Sequence, residues 1–215
     1  MALAVTVALS SCGGGGKPAQ KEELKPAAPF TGAKGEVKIM TLDPGHFHAA
    51  LVTVDAGAHM LVAMPLWQVE DPGSVLISNG LATMGFSLPA AIGAATAFPK
   101  RKVICFVGDG GLGMSLAELE VLNRRQLDVT VIVFNDASLS LIKLKQGEQQ
   151  GGEAAVGYSP ISFAGIATAM GIESASARDA AELHDALTRS AGKPFLIDAS
   201  IDAADYVAIM GLARG

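Results

Sequence analysis

Four things are scarce in this chain, and each scarcity narrows its chemistry. Cysteine occurs twice, at Cys12 and Cys105, which is too few for a disulfide framework or a cysteine-built metal site. Cys105 lies in an apolar run and reads as a small packed hydrophobe. Positive charge is short: the net charge of −5 argues against a nucleic-acid partner. No apolar run reaches the ~18 residues of a membrane span. Aromatic residues make up only 5%, yet half of the residues are hydrophobic, so the 215-residue chain can bury a sizeable core and is not a disordered one. There is no internal repeat.

What is present concentrates in two strand-like runs. Lys102 to Val107 is a continuous apolar stretch that ends on Gly108-Asp109-Gly110, and Val129 to Phe134 is a second, ending on Asn135-Asp136. Unbroken apolar runs of this length read as strands buried on both faces of a parallel sheet. Between them, Leu112, Leu116, Leu119 and Leu122 have helical spacing, predicting a helix from Leu112 to Gln126. In open α/β sheets, ligands bind beyond the carboxyl ends of the strands, where both Asp109 and Asp136 fall. Gly108, Gly110, Gly111 and Gly113 let backbone approach a ligand closely, and the helix that follows aims its N-terminus at it, an arrangement suited to phosphate. Carboxylates beside a phosphate point to a bridging Mg²⁺, which takes hard oxygen ligands at about 2.0–2.1 Å.

The other elements fit the same plan. Strands are expected at Leu51–Val54, Ser74–Ser78, Glu173–Ser176 and Pro194–Ser200. Helices are expected at Met60–Trp67, at Gly85–Phe98 with Pro89 in its first turn, at Ile161–Met170 with Gly171 as its C-cap, and at Arg178–Ser190. Asp71-Pro72-Gly73 is a turn, and the Gly-, Gln- and Glu-rich Gly147–Gly157 reads as a mobile loop. The fold class is therefore α/β: a three-layer open parallel sheet with helices on both faces, carrying a disordered N-terminal tail.

Three motifs, in order, carry a resemblance. Gly108-Asp109-Gly110 through Asn135-Asp136 resembles the thiamine diphosphate motif, which runs from Gly-Asp-Gly to a closing Asn-Asn. Asn79 to Ala94 is similar to the matching segment of acetolactate synthases, and Thr53 to His59 to that family's first diphosphate loop. The resemblance covers roughly Val52 to Asp202. It implies thiamine diphosphate and Mg²⁺ as cofactors, with Asp109, Asp136 and the Ser138 carbonyl on the metal. Gly57, Ala58, His59, Gly108, Gly110, Gly111 and Asn135 would surround the diphosphate end. Met84 would wedge under the bent cofactor and the Ala82 carbonyl would accept from its amino group. Two readings stand for His59, a donor to phosphate or a polar residue starting a helix, and Met84 has plain core as its alternative. Asp136 departs from the family's usual Asn, adding a negative charge that favours the metal and opposes the diphosphate.

The resemblance also implies a reaction: decarboxylation of a 2-oxo acid, with carbon–carbon bond formation or aldehyde release, in a dimer or tetramer. The family's pyrimidine-side glutamate comes from a separate pyrimidine-binding domain that this chain does not carry, so that domain is a necessary partner. Thus the chain alone is expected to bind cofactor weakly, to have no catalytic residue of its own and not to turn over.

The N-terminus follows different rules. Ala2–Leu9 is apolar, and Leu9-Ser10-Ser11-Cys12-Gly13 resembles a bacterial lipobox that would place a lipid anchor on Cys12, although no Lys or Arg precedes it. Gly13–Lys34 reads as a flexible tether. Val37–Leu51 resembles the start of exported oxidoreductases of the glucose–fructose oxidoreductase type, but no Gly-x-Gly-x-x-Gly follows directly, and His46 and His48 are too little for a metal pair. The domains expected are 1–36 signal-like segment and tether, 37–51 fragment of an unrelated domain, 52–202 cofactor domain and 203–215 tail. The junction near Val52 implies a gene fusion or an assembly artefact. The cofactor domain implies a cytoplasmic protein, the N-terminal segment a membrane-anchored lipoprotein. Rival readings are a lipid-anchored binding protein and a fragment of an NAD(P)-dependent oxidoreductase.

Overall fold

The computed structural model describes residues 50–67, 73–78, 80–150 and 154–206. The signal-like segment, the tether, Val37 to Ala49 with its two histidines, and the tail beyond Tyr206 lie outside these residues, as does Asn79. Six strands form one sheet: β1 (Leu51–Val54), β2 (Val75–Ile77), β3 (Val103–Gly108), β4 (Val129–Asn135), β5 (Glu173–Ala177) and β6 (Phe195–Ser200). All pair in parallel, in the order β2-β1-β3-β4-β6-β5.

Alternation along the central strands builds two separate cores. Val103, Cys105 and Val107 of β3, with Val129, Val131 and Val133 of β4, face one layer of helices. That layer comprises α2 (Ser87–Ala97), α3 (Asp109–Ser115), α4 (Leu119–Arg125) and α6 (Phe163–Ala169). Ile104, Phe106 and Ile132 face the opposite layer, where α1 (Ala58–Leu66) and α7 (Ala180–Arg189) pack with Phe195 and Ile197. Each fully buried aliphatic side chain removed from water contributes about 1.5–3 kcal/mol, so β3 and β4, covered on both faces, anchor the sheet. The small residues of α2, Ala91, Ala94 and Ala95, let that helix sit close to β1 and β3.

Two departures from the sequence reading stand out. Gly147 to Gly157 is not loop throughout: α5 runs from Ser140 to Gln150 and takes in its first residues. The single helix expected at 112–126 begins earlier, at Asp109, and is broken by a 3₁₀ turn at Leu116–Glu118. Elsewhere the match is close. Gly171 follows α6 with φ +81, the left-handed conformation of a helix stop. A side chain there would also meet Asn123, whose amide donates to the Met170 carbonyl and ties α4 to α6.

Chain order reverses between β1 and β3. From β1 the chain moves outward to β2, then returns to the other side of β1 to lay down β3 and β4. Loops leaving the carboxyl ends of β1 and β3 therefore diverge, and a crevice opens between them.

Candidate functional site

The crevice is organised first by a residue that sequence reasoning passed over. Asp55, fully buried at the end of β1, accepts hydrogen bonds from the backbone N–H groups of Gly85, Phe86 and Ser87. It caps α2 from 30 residues away and fixes the loop carrying Ala82 and Met84 to β1. Burial pushes its carboxyl above the usual range, while the backbone N–H groups pull it back down. Gly111 explains its own lack of a side chain here: a Cβ would sit 2.0 Å from Asp55 Oδ2.

His59, in the first turn of α1, is 4% exposed and stacks on Phe134 at 5.2 Å. Burial lowers its pKa to about 4, against the pull of a hydrogen bond with the Asp55 backbone, so the imidazole is neutral at pH 7. Its Nε2 is buried and has no partner.

Asp109 opens α3 and is 4% exposed. Its Oδ1 accepts from the Gly110 N–H at 2.7 Å, and its Oδ2 is buried without a partner. Asp136, just past β4, is held at both oxygens: Oδ1 accepts from the Ser138 N–H at 3.1 Å, and Oδ2 from the Ser140 hydroxyl. Burial raises the Asp136 pKa, the Ser140 bond lowers it, and the charge of Asp109 raises it again, which is the mark of two carboxylates close enough to repel.

Pairing of the 137–139 turn with residues 156–158 completes this side. Leu139 donates to the Val156 carbonyl, Tyr158 to the Ala137 carbonyl, and the Ser138 hydroxyl also to Val156. The pairing delivers the Tyr158 hydroxyl beside Asp109, where it is buried outside hydrogen-bond geometry. Tyr206 arrives from after β6. Burial, then the neighbouring carboxylates, push both phenols well above their usual range; Asp109 leads for Tyr158 and Asp136 for Tyr206. Both tyrosines of the chain thus stand at the carboxylate pair.

A cavity of about 250 Å³ lies among these groups. Its lining comes from the loop after β1 (Gly57, Ala58, His59), from Ala82 and Met84, from the turn after β3 (Gly108 to Gly111) and from Asp136 and Ser138 after β4. Ala82 and Ala137, flanking it, hold left-handed φ values of +48 and +55, strain of about 1–3 kcal/mol each that clusters at functional sites. Eleven of the twelve residues proposed from sequence thus line one cavity. Asn135 does not: its amide donates to the Ile161 carbonyl and to Asp198, in a separate cleft at the ends of β4, β5 and β6. Gly110's N–H is already engaged by Asp109, so Gly111 is the freer of the two toward a ligand.

The donor set decides what this cavity can hold. No cluster of three or more His, Cys, Asp or Glu occurs among the described residues, so a closed all-protein cage is not built here. Two carboxylates with one oxygen unpartnered suit an ion such as Mg²⁺, which is held by one or two carboxylates and completes its shell with phosphate oxygens and water. Residues 108–113 also spell Gly-x-Gly-x-x-Gly after a strand, the dinucleotide pattern. The buried acid inside that turn, opposed by Asp136, distinguishes it from a bare pyrophosphate cradle.

The doubly wound sheet and its crevice define the class: an α/β domain that binds its ligand at the carboxyl ends of its strands, at the point where strand order reverses. The chain belongs to the family described as "Thiamine pyrophosphate enzyme, C-terminal TPP binding domain", whose model matches residues 55–199. It is 39% identical over 162 residues to the acetolactate synthase isozyme 1 large subunit of Escherichia coli K12, covering 74% of this chain and 29% of that protein. It is 32% identical over 173 residues to the acetolactate synthase large subunit of Buchnera aphidicola subsp. Schlechtendalia chinensis (77% and 30% covered). The acetolactate synthase of Bacillus subtilis 168 is 31% identical over 158 residues (73% and 28%). The chain thus spans less than a third of the length of these relatives. No helix among the described residues is long and apolar enough to cross a membrane.

Proposed function

We propose that the cavity binds the diphosphate end of thiamine diphosphate through Mg²⁺, held by Asp109, Asp136 and the Ser138 carbonyl. The observation that carries this is the meeting of two carboxylates, Asp109 and Asp136, at one cavity, with Asp109 Oδ2 buried and unpartnered. A dication there would relieve the repulsion and supply the missing partner. Asp55 acts indirectly: by capping α2 it holds the Ala82–Met84 loop over the cavity. Met84 forms the wall against which the cofactor's rings would lie, and Gly111, whose N–H is not taken by the Asp109 carboxylate, lines the cavity at the start of α3. His59, neutral and stacked on Phe134, contributes a wall and an unpartnered nitrogen rather than a positive charge.

When bound, thiamine diphosphate supplies the carbanion-stabilising chemistry by which 2-oxo acids are decarboxylated and joined. Relatives named acetolactate synthase support that reaction as the one this domain serves, within a dimer or tetramer that includes a pyrimidine-binding domain. No glutamate is among the described residues that line the cavity, and on this reading the acid–base partner of the pyrimidine ring comes from the separate pyrimidine-binding domain. The purified chain alone is therefore expected to release no CO₂ from pyruvate above a protein-free control.

Calorimetric titration with thiamine diphosphate tests the assignment. Binding should require Mg²⁺ and be lost in Asp109→Ala. Equal affinity in EDTA, or in the variant, would remove the metal from the account.

A further inference from the structure

Two carboxylates at one dication site carry a consequence for the order in which its ligands bind. Asp109 and Asp136 together bring two negative charges, enough to neutralise a dication before any phosphate arrives. Both Asp136 oxygens are held by Ser138 and Ser140 rather than by a lysine or arginine, so no ion pair with a side chain has to break first. Asp109 lines the same cavity, and its buried Oδ2 makes no hydrogen bond, with the Tyr158 hydroxyl as its neighbour. His59, another residue lining the cavity, carries a second buried polar atom without a partner, its Nε2. With a single carboxylate, the ion would depend on the diphosphate for half its neutralisation.

Resting on the metal reading above, we propose that this chain takes up a hard divalent cation on its own, ahead of the diphosphate, and that Asp136 is the residue that makes this possible. The same charge acts in the opposite direction on the second ligand. A dication between two carboxylates presents a neutral site, whereas one carboxylate would leave a net positive charge to attract the diphosphate. Asp136 therefore favours the metal and disfavours the cofactor. Removing its charge should shift the two affinities in opposite directions, a signature that general loosening of the site does not produce.

The test uses the full chain stripped of metal, with Mn²⁺ as the probe and free Mn²⁺ followed by electron paramagnetic resonance. Titrations run with and without thiamine diphosphate, against protein-free controls. Wild type should bind one Mn²⁺ without the cofactor. Asp136→Asn, nearly isosteric, should weaken that binding about thirtyfold, the effect of one unit charge about 4 Å from a dication under full water screening. At saturating Mn²⁺ the same variant should bind thiamine diphosphate more tightly than wild type. Circular dichroism shows whether the variant is folded; should it unfold, wild type with and without the cofactor still decides the matter. Mn²⁺ uptake by wild type only in the presence of thiamine diphosphate would overturn metal-first binding and leave the metal site standing. Unchanged Mn²⁺ affinity in folded Asp136→Asn would overturn the role given to Asp136. No uptake under either condition would overturn the metal site itself.

Discussion

Gly111→Ala should destabilise the domain through a carboxylate, although glycine-to-alanine changes in helices are ordinarily favourable by about 1 kcal/mol. The new Cβ would stand 2.0 Å from Asp55 Oδ2 and 3.4 Å from Val107 Cγ2, so the carboxylate must move. Asp55 cannot move without releasing the N–H groups of Gly85, Phe86 and Ser87, which it binds at 2.9, 2.8 and 3.2 Å. Bonds to a charged group contribute about 1.5–3 kcal/mol each. Losing two, less the helix-propensity gain, leaves a net loss of about 2–5 kcal/mol. Urea unfolding would read this as a lower midpoint at unchanged m-value. Asp55→Ala removes the obstacle along with the bonds, so the double variant should be little worse than Asp55→Ala alone, a coupling of at least about 1 kcal/mol. Losses that simply add, or a Gly111→Ala chain within about 0.5 kcal/mol of wild type, would refute the reasoning.

Other expectations follow from single groups. His59 binds its proton in the unfolded chain near pH 6.5 but in the folded one only near pH 4, so stability is lost as pH falls through that window. Between pH 6.5 and 5 the loss is about 1.6 kcal/mol on this account, and His59→Gln should be flatter by that amount in urea titrations at the two pH values. In a chain carrying Cys12→Ser, the remaining Cys105, fully buried and pushed up to about 12, should stay unreactive to a thiol reagent until urea unfolds the protein. Lys102 donates to Asp128 at 3.0 Å and to the buried Ser190's carbonyl at 2.8 Å, so Lys102→Met should cost about 1–3 kcal/mol, measured as a shifted urea midpoint.

The strands and the two acids at the strand ends were legible because they depend on local pattern. β3 and β4 are continuous apolar runs, and each ends on an acid at the sheet's carboxyl edge. Residues that act across the fold left no such trace. Asp55 binds backbone N–H groups about 30 residues away, and backbone donors leave no mark on residue type at Phe86 and Ser87 beyond the exclusion of proline. Tyr158 reaches Asp109 only because 156–158 pairs with the 137–139 turn. Ser140 is ordinary by composition, and its role appears once α5 turns its hydroxyl onto Asp136. The beginning of the 147–157 stretch was misread because Gly147 and its polar neighbours suggest a loop. Gly147 faces open space in α5, where a glycine costs only about 1 kcal/mol and a longer helix absorbs it. Asn135 enters the sequence reading through the closing pair of the resembled motif; successive residues in extended chain point to opposite sides, and in the structure its amide turns to Asp198.

A crystal structure of the full chain grown with Mg²⁺ and thiamine diphosphate tests the central claim most directly. The account predicts one metal at about 2.0–2.1 Å from an oxygen of Asp109, an oxygen of Asp136 and the Ser138 carbonyl, bridging to the diphosphate beside Gly111. A diphosphate bound without metal contact to Asp109, or lodged instead in the cleft of Asn135 and Asp198, would contradict it.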